Sequence, residues 1–289
     1  MPLELTRERT FENNGIKLAA KEWGRPGFPP VIALHGWLDN ANSFDKMLPF
    51  MDSLHVIAID KAGHGRSGFR SADSGYDIWQ DIGDIIAVAD QMAFDTFGLL
   101  GHSRGGAISG LVAGCFPQRV TALVLIDGYV PVPNEAQNAP AQIARAIYES
   151  RRFAASSPTV FPSYERAVQA RVDGFLPLQP QAAAILAERG IVEQDGSFFW
   201  SNDQRLKAAS MVKFTPEQLK SFCHAITCPV KLIRAEKTEV PASYLEPEML
   251  TWIPQMQVIT LPGSHHLHLE DQAEQVAQEA QSLLASQSV

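Results

Sequence analysis

Gly101-His102-Ser103-Arg104-Gly105 is the segment of this 289-residue chain with the sharpest chemical meaning. A serine with glycine two positions away on either side suits a tight turn, because only small residues let the entering and leaving backbones come close. Here the turn would join a strand to a helix. Leu99-Leu100 closes an apolar run just before it, and Ala107, Ile108, Leu111 and Val112 repeat at helical spacing just after it. Such a turn strains the serine and exposes its hydroxyl at the C-terminal edge of a sheet. The helix N-terminus beneath favours developing negative charge. Ser103 is the candidate nucleophile.

Attack on a carbonyl creates an oxyanion, which needs two preorganised N–H donors. One candidate is the backbone N–H of Arg104, directly after the serine. The other is the backbone N–H of Trp37, in His35-Gly36-Trp37, which follows the apolar run Val31 to Leu34. His35 itself reads as a brace for that loop. The serine also needs a base, and histidine suits the task near neutral pH. Of eight histidines, His265, His266 and His268 cluster after the last expected strand. Spacing alone does not choose among them.

These residues must be held by strands and helices, and the chain is patterned accordingly. Leu5 to Glu12 and Ile16 to Trp23 alternate loosely about Asn14-Gly15, a hairpin signal. Short continuous apolar runs follow at Val31–Leu34, His55–Asp60, Phe94–Gly101, Val120–Ile126, Pro229–Arg234 and Met256–Leu261. Runs of this kind fill strands buried on both faces. Between them lie helical stripes: Trp79, Ile82, Ile85, Ile86 and Ala89, and a C-terminal one from Ala273 to Leu284. Buried strands alternating with helices predict an α/β fold with a mostly parallel central sheet flanked by helices.

The stretch 131–224 breaks that rhythm. It carries Pro-rich turns and helical pieces such as Ala141–Arg152 and Gln181–Glu188, with no buried strand. It is too long for a crossover. The expected organisation is a core of 1–130 and 225–289 with a helical cap over one end of the sheet. The aromatics Phe153, Phe161, Tyr164, Phe175, Phe198, Phe199 and Trp200 would form the cap's own core, with two or three facing a substrate.

Composition narrows the function. The net charge of −8 removes the basic footprint that nucleic acid or an anionic membrane requires. The expected partner is a small molecule. Three cysteines, Cys115, Cys223 and Cys228, leave one unpaired in any scheme, so no disulfide framework is specified. No apolar run reaches transmembrane length, and Met1 to Arg9 lack the apolar core of a signal peptide. A cytoplasmic location is the expectation. No phosphate-binding or dinucleotide fingerprint and no metal-ligand spacing stands out, so no metal or cofactor is expected.

His35-Gly36-Trp37, Asp60-Lys61-Ala62-Gly63-His64-Gly65-Arg66-Ser67, the serine turn and Pro262-Gly263-Ser264-His265 stand in this order along the chain. In that order, and over nearly the whole length, the sequence resembles the α/β-hydrolase superfamily. Asn202-Asp203-Gln204-Arg205-Leu206 and Pro262-Gly263-Ser264-His265 resemble its serine hydrolase-like branch. The resemblance implies an α/β-hydrolase fold and selects His265 as the base. In the family a glycine stands just ahead of that histidine and a glutamate five residues beyond it, here Gly263 and Glu270. His268 fits a second, structural histidine, and His266 reads as surface. Asp60 and Arg66 belong to an architectural turn.

The acid departs from the commonest family pattern. After Leu232–Ala235 the usual Asp position holds Thr238, which cannot balance an imidazolium. Other branches place the acid one strand earlier, where this chain has Ile126-Asp127-Gly128. Asp127 is the expected acid, with Glu239 and Glu236 as alternatives. The resemblance implies a serine hydrolase of carboxylic esters with small or medium hydrophobic acyl groups. Thioesterase, lactonase and carbon–carbon bond hydrolase chemistry use the same triad, and a binding protein on this fold is the alternative from another class.

Overall fold

Asn14 and Gly15 both take positive φ, and the chain folds back there into a hairpin of Arg7–Asn13 (β1) and Ile16–Trp23 (β2). The computed structural model describes residues 7–240 and 247–287; Leu5 and Thr6, the start of the expected first strand, lie outside them. Three buried strands come next along the chain: Pro30–Leu34 (β3), His55–Ile59 (β4) and, after helix Ile78–Gln91 (α1), Phe97–His102 (β5). The third begins three residues later than its apolar run, because Phe94 closes α1 with its N–H on the Ala89 carbonyl (2.9 Å). Arg104–Cys115 (α2) and Val120–Ile126 (β6) complete the first half.

The insertion follows β6. It contains Ala139–Ala154 (α3), Tyr164–Val172 (α4) and Pro180–Gly190 (α5). It also contains an antiparallel hairpin that the pattern did not signal, Ile191–Gln194 (β7) with Ser197–Trp200 (β8). Its turn is Asp195-Gly196, both at positive φ, and its strands are only four residues each and not buried, so no apolar run marks them. Pro216–Ala225 (α6) packs on α2 and delivers Leu219 and Cys223 to the core beneath the sheet. Val230–Ala235 (β9), Met256–Leu261 (β10) and Ala273–Leu284 (α7) close the chain.

The eight strands of the main sheet lie in the order β1-β2-β4-β3-β5-β6-β9-β10. β1, β2 and β4 pair antiparallel, and every pair from β4 to β10 is parallel. This is the α/β-hydrolase arrangement, a mostly parallel sheet covered on both faces. Side chains of successive strand residues alternate between faces. Ile32, Leu34, Ile57, Ile59, Leu99, Leu123 and Leu125 therefore meet α1, α2 and α6 on one side. Val31, Ala33, Val56, Ala58, Leu100, Val124 and Ile126 meet α7 on the other.

Because β3, β5, β6, β9 and β10 run the same way, their C-terminal ends share one edge. Register brings Leu34 beside Gly101, His102 beside Ile126, and Ile126 beside Ile233. The loops that carry His35, Ser103, Asp127, Thr238 and His265 all leave from that edge. No helix among the described residues is long and apolar enough to cross a membrane, and Cys115, Cys223 and Cys228 are free thiols.

Candidate active site

Ser103 sits at φ +52° and ψ −119°, a conformation rarely adopted by a residue with a side chain. The turn is made possible by its glycines. A Cβ on Gly105 would lie 1.9 Å from the Leu34 carbonyl oxygen, and one on Gly101 would lie 2.5 Å from the Gly105 carbonyl oxygen. The Ser103 N–H donates to Ile126 O at 2.9 Å, pinning the turn to the end of the next strand. The Arg104 N–H falls in the first turn of α2, where helix N–H groups lack an intrahelical acceptor and remain available.

His265 leaves the loop after β10 fully buried, and its Nδ1 lies 2.7 Å from Asp127 Oδ2. An ionised carboxylate only accepts, so Nδ1 carries the proton that faces it. That Nε2 has no hydrogen-bond partner among the described residues. Asp127, at φ +41°, also takes the Ala235 N–H on Oδ1 (3.0 Å) and the Thr238 hydroxyl on Oδ2 (2.5 Å). Burial works against its charge, but the hydrogen bond from His265 and these two donors hold its carboxyl below the usual range.

The alternatives for the acid are placed elsewhere. Glu239 accepts the backbone N–H of His265 at 3.0 Å, so it holds the loop and not the imidazole. Glu236 is exposed, and its N–H is used by the Leu261 carbonyl. Glu270 links the histidine loop to the cap, taking the Ser264 hydroxyl on one oxygen and the Gln179 N–H on the other (2.8 Å).

Two readings of the histidine cluster fare differently. His268 is buried against Ser43, Nε2 to Oγ 3.0 Å, as a structural residue. His266 is not a surface residue: it is 2% exposed, with Nε2 3.3 Å from Asp39 Oδ2. The loop curls under itself after Ser264 and turns this ring inward. Asp39 and His102 complete a network that sequence reasoning missed. His102 donates from Nε2 to the His265 carbonyl (3.0 Å), and its Nδ1 faces Asp39 Oδ2 at 3.6 Å. Burial drives His102 down to about 3, so it is neutral at ordinary pH. Arg171, on α4 of the cap, donates to Asp39 Oδ1 at 2.9 Å. The only sequence signal was position: His102 precedes the serine and Asp39 follows Gly36 by three.

Asp39, His102 and His266 bring one potential ligand atom each within 4.8 Å of one another. The charge of the carboxylate is already matched by Arg171, which opposes a second cation there.

The Trp37 loop is held from both sides. His35 accepts the Lys61 N–H on Nε2 (3.1 Å), and Lys61 Nζ donates to the carbonyls of His35 (2.5 Å) and Gly36 (3.4 Å). Burial, then Lys61 and His64, push the His35 imidazole well below its ordinary value, so it braces the loop in neutral form. From the cap, Leu206 O accepts the Trp37 indole N–H (2.9 Å) and Asn202 Nδ2 donates to Leu38 O (3.1 Å). Between them Asp203 takes the Tyr76 hydroxyl (2.7 Å) and the Arg205 guanidinium (2.7 Å). The Asn202–Leu206 motif is thus a clamp from cap to core. Asp60 is architectural, accepting from Ala41 N (2.7 Å), Arg66 N (2.8 Å) and Arg189 Nε (2.8 Å). Among the described residues the Arg66 side chain reaches only Glu8 (3.2 Å).

A cavity of about 410 Å³ opens over Ser103, lined also by Trp37, Arg104, Asp127, Tyr129, Leu176 and Phe214. Of the cap aromatics named from sequence, only Phe175 lines it; Phe161 and Trp200 line an adjoining cavity of about 240 Å³.

Comparison with known proteins places the geometry. A family model described as alpha/beta hydrolase fold matches residues 29–272. A probable serine hydrolase of Drosophila melanogaster is 30% identical over 285 residues, covering 93% of this chain and 86% of that protein. Serine hydrolase-like protein 2 of Homo sapiens is 29% identical over 88% of this chain and 86% of its own length. Among solved structures, a hypothetical protein of Pseudomonas aeruginosa PAO1 is 37% identical, with TM-score 0.88 over 96% of this chain and 98% of that one. A thioesterase domain from the curacin biosynthetic pathway, 23% identical with TM-score 0.81 over 98% of this chain and all of that one, shares the fold.

Proposed function

The chain belongs to the α/β-hydrolase superfamily, in its serine hydrolase-like branch, and on that premise we propose that it cleaves carboxylic esters of small or medium hydrophobic acyl groups through an acyl-enzyme. The observation that carries this reading is the Asp127–His265 contact of 2.7 Å with Nε2 of the same imidazole unpartnered. In its neutral form, a histidine oriented this way can act as a base toward a proton donor placed at Nε2.

In the proposed sequence the Ser103 hydroxyl oxygen bonds to the acyl carbon while its proton passes to His265 Nε2. The carbonyl π electrons move to oxygen, and the backbone N–H groups of Trp37 and Arg104 stabilise that oxyanion, each worth on the order of 3 kcal/mol in such chemistry. The tetrahedral adduct collapses, the C–O bond to the alcohol breaks, and His265 returns the proton to the leaving oxygen. Water then attacks the acyl-Ser103 ester by the same path, with His265 again base and then acid. Asp127 holds the tautomer and balances the imidazolium without taking its proton. The apolar side chains of Ile78, Trp79, Leu176 and Phe214 on the cavity wall suit a hydrophobic acyl group.

Labelling with a fluorophosphonate, mapped by mass spectrometry, tests the nucleophile, and nitrophenyl esters of rising chain length test the substrate. Modification at Ser103 with ester turnover is expected. Modification without turnover on any ester redirects the reading to thioesters or lactones. A folded protein that is not labelled at Ser103 overturns it.

A further inference from the structure

The cavity over Ser103 has apolar walls and a charged rim. Four cations line it, Arg104, Arg145, Lys207 and Lys213, together with two carboxylates, Asp127 and Glu149. Both carboxylates are already engaged: Asp127 with His265, and Glu149 with Arg145 Nε (2.8 Å) and the Ala209 N–H (2.8 Å). Arg104 is directed away, donating to the Tyr76 carbonyl (3.1 Å) with Asp81 at 3.7 Å.

Among the described residues, two positive charges are left without a carboxylate partner. Lys207 Nζ meets, among the described residues, only the uncharged side chain of Gln204 (2.7 Å), and Lys213 has no hydrogen bond or ion pair among them. Partial burial, then the charge of Arg145, lowers the Lys213 ammonium from its ordinary value. This excess stands out in a chain whose net charge is −8. Lys207 also lines the adjoining cavity, which shares Trp37, Phe175 and Leu176 with the first, so it stands where the two meet. Both lysines are exposed at the rim of an apolar cavity, where they raise the local positive potential and can be reached by a ligand group of opposite sign.

We propose, building on the reading of Ser103 as nucleophile, that the substrate is an anionic ester: an apolar portion enters the cavity over Ser103, and a carboxylate or phosphate at its far end is met by Lys207 and Lys213. Hemiesters of dicarboxylic acids and acyl esters of phosphorylated alcohols both carry this chemistry.

The test compares matched substrates that differ only in that charge. The nitrophenyl monoester of glutaric acid is set against its methyl-capped diester, and hexanoyl glycerol phosphate against hexanoyl glycerol. kcat/KM is measured for the natural sequence, Lys207→Gln, Lys213→Gln and the double variant. A preference for the charged member is expected, falling about fivefold with each lysine removed and weakening as salt is raised. Preference within the glutarate pair alone assigns a carboxylate, and within the phosphate pair alone a phosphate. Equal kcat/KM within both pairs overturns the proposal, as does a preference that survives in the double variant. Calorimetric titration of Ser103→Ala with monomethyl glutarate and with dimethyl glutarate reads the charge contact without turnover. Tighter binding of the monomethyl ester that disappears in the double-lysine background supports the proposal; equal binding overturns it. Since this readout needs no hydrolysis, failure of charge recognition and failure of the hydrolase reading give different results.

Discussion

Thr238 donates its hydroxyl hydrogen to Asp127 Oδ2, the same oxygen that faces His265 Nδ1. The residue standing where the family resemblance would place the acid thus hydrogen-bonds the proposed acid, which comes from the neighbouring strand. β6 and β9 are adjacent and parallel, with Ile126 beside Ile233, so the loops after them can deliver a carboxylate to one point from either side.

That relationship predicts a transplant. Asp127→Asn is expected to keep the fold and lower kcat by about 10³–10⁴, because the amide no longer fixes the tautomer. Adding Thr238→Asp to that variant supplies a carboxylate from the family's usual position, and at least a tenfold recovery of kcat is expected. Ester turnover with matched circular dichroism spectra is the check. No recovery, with the fold intact, means that the Thr238 position cannot serve His265.

The clamp between cap and core predicts a coupled loss. Asp203 is buried and binds both Tyr76 and Arg205. Asp203→Ala leaves the Arg205 guanidinium without its counter-charge, a change that costs about 3–5 kcal/mol when such a pair is buried. The melting temperature should fall by several degrees. Because Leu206 and Asn202 hold the Trp37 loop, kcat/KM should fall as well. A lowered melting temperature with unchanged kcat/KM would separate the clamp from the proposed oxyanion role of the Trp37 loop.

The serine turn tolerates no added carbon. A methyl group on Gly105 would meet the Leu34 carbonyl oxygen at 1.9 Å and the His35 carbonyl oxygen at 2.7 Å, both main-chain atoms of the sheet edge. Gly105→Ala should therefore displace β3 from α2 and destabilise the protein by more than about 3 kcal/mol, at the severe end of single substitutions. Denaturant unfolding measures it; a change under 1 kcal/mol would show that the turn can relax.

Lys61 makes stability depend on pH. Burial lowers its pKa to about 7, while in the unfolded chain a lysine titrates near 10.4. Between those values the unfolded state binds more protons than the native state, so stability rises with pH from about 7 to about 10. Lys61→Met removes that slope. Urea unfolding of both proteins at a series of pH values is the measurement, and parallel curves would exclude Lys61 as the source.

The chain's own sequence determined where the buried strands fall along it, the α/β class and Ser103 with its turn. Each of these is written in residues near one another: apolar runs of strand length, and glycines two places either side of one serine. The short β7–β8 hairpin escaped because its partly exposed strands carry no buried run. What only the tertiary structure decided was which distant groups meet. Asp127 and Glu239 both lie at the sheet's C-terminal edge, and only the parallel register of β6 beside β9 sends the first to His265 Nδ1 and the second to the His265 backbone N–H. Asp39 and His102 became legible in the same way. The partners of both lie far along the chain, and a hydrogen bond between residues 132 positions apart, as in Asp39 with Arg171, leaves no trace in local spacing. His266 was misread for that reason: a polar residue in a loop is expected to face water until a buried carboxylate is found beneath it.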